Sequence, residues 1–189
     1  MITGVSRRPV VGVMGSGTDS WPCYSHALGC WLAQRGVHLL TGGGGGVMAA
    51  VAQAFVETTP RQGLSLAIVP TEYVDGRFRL VRPGYPNPWV EVPIVVPLGV
   101  YDPRQPVAVN RNVANILSSD VVVVLPGGPG TAQEKALAEA YDKPLVVLSA
   151  LSDGAEGPDG SGAPVDRLQA EAAWAAALGA LDRLLPHEY

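Results

Sequence analysis

The chain has 189 residues, a formal net charge of −4, 47% hydrophobic and 16% charged residues, which suits one packed domain over 1–189 and is too little charge for a disordered chain. The acidic balance argues against nucleic acid as a partner, because phosphate contacts need a surplus of Lys and Arg. No apolar run reaches the roughly 18 residues of a membrane span, the N-terminus lacks a basic–apolar–small signal pattern, and two cysteines make no disulfide framework, so a cytoplasmic setting with no membrane partner is expected.

Pro9–Met14 is short and β-branched and runs into Gly15-Ser16-Gly17, which predicts a buried strand. Trp21–Gln34 has apolar residues at helical spacing (Ala27, Leu28, Trp31, Leu32) and stops at Gly36, a C-cap signal. Val37–Leu40 reads as a second strand that ends in Gly42-Gly43-Gly44-Gly45-Gly46, and Val47–Val56 resumes as a helix. Leu64–Val69 is a third strand, expected to stop at Pro70, with a loop over 70–90. Val92–Val96 is extended, and Pro93 and Pro97 place it near a sheet edge.

A helix is expected over Gln105–Leu117. Val121–Leu125 is the clearest central strand, broken by Pro126-Gly127-Gly128-Pro129-Gly130 and followed by a helix over Thr131–Tyr141. Leu145–Leu148 is the last strand. Residues 152–164 are rich in Gly, Asp and Pro and read as a mobile loop. An Ala-rich amphipathic helix over Leu168–Leu185, within the C-terminal segment 165–186, should close the domain.

Strand–helix alternation of this kind predicts an α/β fold: a mostly parallel sheet in a three-layer α/β/α arrangement, with helices on both faces. Strands buried on both faces show continuous Val, Ile and Leu, as Val121–Leu125 does. Ligands of such sheets sit at the carboxyl ends of the strands. The three glycine clusters, after Met14, after Leu40 and after Leu125, all fall there. A Gly-rich turn into a helix turns backbone N–H groups toward an anion, aided by the helix dipole. Three such turns on one sheet edge point to a phosphate-bearing small molecule.

Two common nucleotide sites do not fit. Gly15-Ser16-Gly17-Thr18-Asp19-Ser20 nearly matches the dinucleotide fingerprint, but the acidic residue expected about 20 positions on is missing from His38-Leu39-Leu40-Thr41. No Gly-Lys-Ser/Thr triplet of a Walker loop occurs.

The segment Pro126-Gly127-Gly128-Pro129-Gly130-Thr131-Ala132-Gln133-Glu134 is the most specific in the chain. It resembles the Pro-Gly-Gly-x-Gly-Thr-x-x-Glu signature of the LONELY GUY (LOG), or lysine decarboxylase-like, family. Gly43-Gly44-Gly45-Gly46-Val47-Met48 resembles that family's second glycine segment in shortened form, Gly15-Ser16 its first loop, and Arg111 lies nine residues before Asp120, where the family has an Arg ahead of a Ser-Asp pair. The resemblance covers roughly 9–148 and implies a Rossmann-like, usually oligomeric protein (homodimer or homotetramer) that cleaves the N-glycosidic bond of nucleoside 5′-monophosphates, with no metal or redox cofactor. It further implies Arg111 and Glu134 as the catalytic pair. It implies Gly127, Gly128, Gly130 and Thr131, with Gly15, Ser16, Gly43, Gly44 and Gly45 from the earlier loops, as the phosphate- and nucleotide-binding set. Arg111-Asn112 and the segment Asn87-Pro88-Trp89-Val90 look more like a sister branch that includes molybdenum-cofactor carrier proteins, which bind a phosphate-bearing pterin.

The chemistry also stands on the residues alone. Glycosidic cleavage builds positive charge on the ribose and needs a water at the anomeric carbon. A carboxylate such as Glu134 can stabilise that charge or orient the water, and Arg111 can keep the acid ionised. The expected function is therefore binding of a phosphorylated nucleotide-like ligand with hydrolysis of its N-glycosyl bond, the alternative being a carrier or sensor of a phosphorylated heterocycle.

Plainer roles compete for several of these residues. Glu134 stands three positions after Thr131, the spacing of a capping box, and Arg111 could be a solvated helix residue. Asp120 reads as a cap or ion-pair partner at a strand start. Cys23, His26 and Cys30 share a helix face but lack a fourth ligand at metal spacing, so packing is expected and no metal. Arg77, Arg79 and Arg82 read as a solvated loop cluster, Trp89 as an interface or stacking aromatic, and His38 as a satisfied core histidine.

Overall fold

The fold is that of a computed structural model, which describes residues 7–81, 83–105, 108–148 and 167–185. The elements in chain order are β1 (Val10–Met14), α1 (Pro22–Gln34), β2 (His38–Thr41), α2 (Val47–Glu57), β3 (Ser65–Val74), β4 (Arg77–Leu80), β5 (Val92–Val96), α3 (Arg111–Ser118), β6 (Val121–Val124), α4 (Pro129–Ala140), β7 (Leu145–Val147) and α5 (Arg167–Leu184). The loop expected over 152–164 lies outside the described residues, as do Arg82 and the extreme ends of the C-terminal segment.

The strands form one sheet in the order β4-β3-β2-β1-β6-β7, with β5 also paired to β3. All pairings are parallel except β3 with β4. This is the expected α/β, Rossmann-like arrangement. The alternation of side chains along each strand divides the core. Val11 and Val13 of β1 and Val121 and Val123 of β6 pack with Leu28 and Leu32 of α1, Val51 and Phe55 of α2 and Leu181 of α5. Met14 of β1 and Val122 and Val124 of β6 pack on the other face with Ile116 of α3 and Ala138 of α4. A run of four valines serves both layers because both faces of β6 are covered. The chain order reverses at β1, which has β2 on one side and β6 on the other, and an open α/β sheet forms its ligand crevice at such a switch.

Three expectations are corrected. β3 does not stop at Pro70 but continues to Val74. Its pairing with β2 ends at Ala67, so Pro70 has a ladder partner only in Val96 of β5, and its missing N–H breaks no second ladder. The stretch 70–90 is not all loop: Thr71–Val74 and Arg77–Leu80 make an antiparallel hairpin. Its turn residues Asp75 and Gly76 both have left-handed backbones (φ 51° and 76°), the two-residue Asp-Gly turn whose twist suits a hairpin. The helix expected from Gln105 starts only at Arg111. Asn110 is extended and its side chain accepts from the Asn112 N–H at 3.0 Å, a standard N-cap that sets the start.

α1 and α2 cross with their backbones nearly touching at Gly29. A Cβ there would lie 2.6 Å from the Val51 carbonyl oxygen and 2.9 Å from the Phe55 nitrogen. Alanine would gain up to about 1 kcal/mol of helix propensity, but backbone neighbours cannot rotate away, and overpacking costs about 1–3 kcal/mol. Gly29→Ala is therefore expected to melt several degrees lower than the parent in calorimetry. An unchanged or higher melting temperature would show that the two helices can part.

Candidate functional site

At the carboxyl edge of the sheet the three glycine loops meet around Ser16. Its N–H donates to the Pro126 carbonyl at 3.1 Å, and its carbonyl accepts from the Val47 N–H at 2.9 Å. Its hydroxyl donates to Asp19 Oδ2 (3.0 Å) and accepts from the Asp19 N–H (2.9 Å). One residue thus ties the first loop to the second and third. Contact this close leaves no room for side chains. A Cβ on Gly127 would lie 2.8 Å from Ser16 N, and one on Gly46 would overlap the Ser16 carbonyl.

The helices that leave these loops have bare N-termini. Neither α1, α2 nor α4 has a side-chain cap or an acidic residue in its first turn. α3, by contrast, is capped by Asn110. Helix starts leave N–H groups without intrahelical partners. Among the described residues no side chain caps the positive dipole ends of α2 and α4.

A cleft of about 430 Å³ opens at this edge. Of the residues expected at the site, Gly15, Arg111, Gly128, Gly130, Thr131 and Glu134 line it. Ser16, Gly43, Gly44, Gly45 and Gly127 are not part of its lining. Gly43 spends its N–H on Thr41 Oγ1 and its carbonyl on the Asn87 N–H, so its backbone already serves the loop.

Arg111 and Glu134 are brought together deep in this cleft. Arg111 is 7% exposed and Glu134 6%. The Arg111 guanidinium lies against the bare main chain of Gly42, where a Cβ would overlap Nη1. Among the described residues, its buried Nε and Nη1 have no hydrogen-bond partner. This corrects the solvated reading of Arg111. The capping reading of Glu134 falls as well. Gly128 is the N-cap and Pro129 the first helical residue, so Thr131 is already inside α4 and Glu134 sits in its second turn. Glu134 Oε1 accepts from Asn115 Nδ2 at 3.4 Å. Burial pushes the Glu134 carboxyl up to about 6, against the opposing pull of the Arg111 charge and of the Asn115 hydrogen bond.

α3 presents Arg111, Asn112 and Asn115, all buried, toward α4. Asn112 Nδ2 donates to Gln133 Oε1 at 2.9 Å. Asn115 escaped the sequence reading, though it stands four residues after Arg111 and therefore on the same helix face. Tyr85 and Tyr101 also line the cleft. Both come from irregular segments around β5, where no periodic pattern announces which side chains turn inward.

The remaining candidates lie elsewhere. Asp120 binds Arg7 at 2.6 Å and accepts from the Val10 N–H at 2.8 Å, at the start of β6 and so at the opposite sheet edge. His38 Nδ1 accepts from the Leu64 N–H at 3.0 Å, and burial, then Arg8 and Arg7, hold its pKa below the ordinary histidine value. Cys30 Sγ is 3.8 Å from His26 Nδ1, and Cys23 is exposed. Among the described residues no three His, Cys, Asp or Glu side chains gather to hold a metal ion, and no helix is long and apolar enough to cross a membrane. Trp89 packs against the larger core cluster, and Arg77 and Arg79 are exposed on the hairpin.

The fold has counterparts among solved structures. A molybdenum cofactor binding protein from the phototrophic bacterium Rippkaea orientalis is 33% identical over 76% of this chain and 77% of that one, with a TM-score of 0.59. The molybdenum cofactor carrier protein of Chlamydomonas reinhardtii is 28% identical over 94% of this chain and 98% of its own, with a TM-score of 0.62. DNA processing protein A of Helicobacter pylori, 16% identical over 95% of this chain and 83% of its own with a TM-score of 0.57, shares the fold alone. No curated protein matches the chain. The profile of the SLOG cluster4 family matches residues 8–171, a span that holds all three glycine loops together with Arg111 and Glu134, and the chain belongs to that family.

Proposed function

We propose that the cleft holds a phosphorylated heterocycle of the molybdenum-cofactor kind and that the protein carries it without converting it. The observation that carries this reading is the Arg111 guanidinium, buried with two nitrogens unpaired, in the same cleft as the bare N-terminus of α4. An unpaired buried cation is costly, and a bound anion offsets that cost. The Gly128–Thr131 segment supplies backbone amides for a phosphate, and Arg111 supplies charge-assisted bonds to the same or a neighbouring acceptor. The likeness to molybdenum cofactor binding and carrier proteins supports a pterin as the heterocycle.

Native mass spectrometry of protein from cofactor-producing cells is expected to show a retained phosphate-bearing pterin. In calorimetry with neopterin monophosphate, Arg111→Gln is expected to bind about tenfold more weakly or worse, the usual consequence of removing a buried charge partner. Equal binding by the parent and the variant would remove Arg111 from the site.

One observation favours a second reading, hydrolysis of a nucleoside 5′-monophosphate: Glu134 faces Arg111 in the cleft with its pKa raised to about 6. A base of that pKa works only when ionised, so such an activity would rise with pH through about 6 and level above it. For a carrier, no ribose 5-phosphate should leave AMP from about pH 5 to about pH 8. A release with that rising limb, lost in Glu134→Gln, would put the hydrolase in the carrier's place.

A further inference from the structure

The phosphate reading leaves one wall of the cleft without a role. The glycines, Thr131, Arg111 and Glu134 form the cleft's polar side, and the rest of the lining includes the aliphatic Val13, Met14 and Val100 and two aromatic rings, Tyr85 and Tyr101. Tyr85 lines the same cleft, half buried. It reaches that position through Asn87, which is 5% exposed. The Asn87 N–H donates to the Gly43 carbonyl at 2.8 Å, its Nδ2 donates to the Gly44 carbonyl at 2.9 Å, and its Oδ1 accepts from the Trp89 N–H at 3.1 Å. With Trp89 packed on the core, the chain around Asn87 is clamped to the second glycine loop.

Two residues ahead of this clamp, Tyr85 lies across Gly44. A Cβ on Gly44 would come 2.5 Å from Tyr85 Oη and 2.8 Å from Met48 Cε. The bare main chain of Gly44 thus makes room for the phenol, and Met48, also in the lining, sits beside it. Tyr101 is tethered differently: its segment is held by the Arg111 N–H on the Gly99 carbonyl at 3.0 Å, whereas Tyr85 is held against the glycine loop itself.

We propose that Tyr85 is the surface on which the heterocycle stacks, and hence the residue that selects a ring-bearing phosphate ligand over a ring-free one. This rests on the reading of the cleft as a site for a phosphorylated heterocycle. A phenol face suits a flat, electron-poor ring, and a single aromatic stack is worth about tenfold or more in affinity. Division of labour follows: main-chain amides take the phosphate of any such ligand, and Tyr85 reads what is attached to it. Asn87 is a positioning residue that acts through Tyr85 and Gly44.

The test compares neopterin monophosphate with ribose 5-phosphate on the full chain, by calorimetry, for the parent, Tyr85→Leu and Tyr85→Phe. The ratio of the two affinities is expected to fall about tenfold in Tyr85→Leu and to stay within about twofold of the parent in Tyr85→Phe, which keeps the ring. A Tyr85→Leu protein that keeps the parent's ratio overturns the proposal, as does one that weakens for both probes alike, since Tyr85 would then only support the loops. A parent that binds both probes equally also overturns it. If the parent binds neither probe, the phosphorylated-heterocycle reading itself fails, an outcome distinct from the loss of selectivity.

Discussion

The carboxyl edge of this sheet depends on one peptide-level junction. Ser16 is held between the Pro126 carbonyl and the Val47 N–H, so the loops after β1, β2 and β6 cannot move independently. The parallel sheet explains why the junction lies there. β1 is flanked by β2 and β6, and each of these strands ends at the same edge. Main chain packed this closely cannot tolerate Cβ atoms, which accounts for glycine at 46 and 127 on steric grounds alone. Bare helix starts are then a by-product of tight packing: among the described residues neither α2 nor α4 has a side-chain cap, and in the first turn of α2 the Val47 N–H is spent on the Ser16 carbonyl.

The electrostatics of the site add to the same polarity. Bare helix N-termini and a buried guanidinium are all positive, and burial raises the Glu134 carboxyl beside them to about 6, so that it still ionises at neutral pH but less readily than an exposed glutamate. Had Glu134 paired closely with Arg111, the cation would be quenched and the cleft would have little hold on an anion. Instead Asn115 gives Glu134 a neutral partner at 3.4 Å, and Arg111 keeps its Nε and Nη1 free. The α3–α4 bond from Asn112 to Gln133 keeps the two helices in the register that separates these roles.

The layered sheet was legible in the sequence because its signals are local and redundant. Val121–Val124 can be buried on both faces only in the middle of a sheet, and each glycine cluster marks a strand end. The hairpin is less legible because a proline usually ends a strand, whereas Pro70 lies where β3 pairs only with β5. Pro70 does not end β3, and the Asp75-Gly76 dipeptide, a direct hairpin signal, is followed by the alternating run Arg77-Phe78-Arg79-Leu80. At the site, Arg111 and Glu134 could be named from a motif, but their burial and the Asn115 bond arise from the packing of α3 on α4, which no local pattern encodes. Tyr85 was out of reach for a like reason: it is placed by Asn87 across more than 40 positions of chain, at Gly44.

Carriers and hydrolases can share such a site because binding and chemistry draw on different parts of it. The cradle proposed for the phosphate is main chain, and its geometry follows from how β1, β2 and β6 end. Substituting side chains hardly alters it as long as the glycines remain. Any reaction would fall to Arg111 and Glu134, which project from α3 and from the second turn of α4, and any ring selectivity to a side chain such as Tyr85 on a connection outside the layered core. A chain can therefore keep the cradle while losing or gaining an activity through two or three side chains. Likeness of fold and glycine pattern speaks to the anion, and only the flanking side chains speak to what becomes of the molecule that carries it.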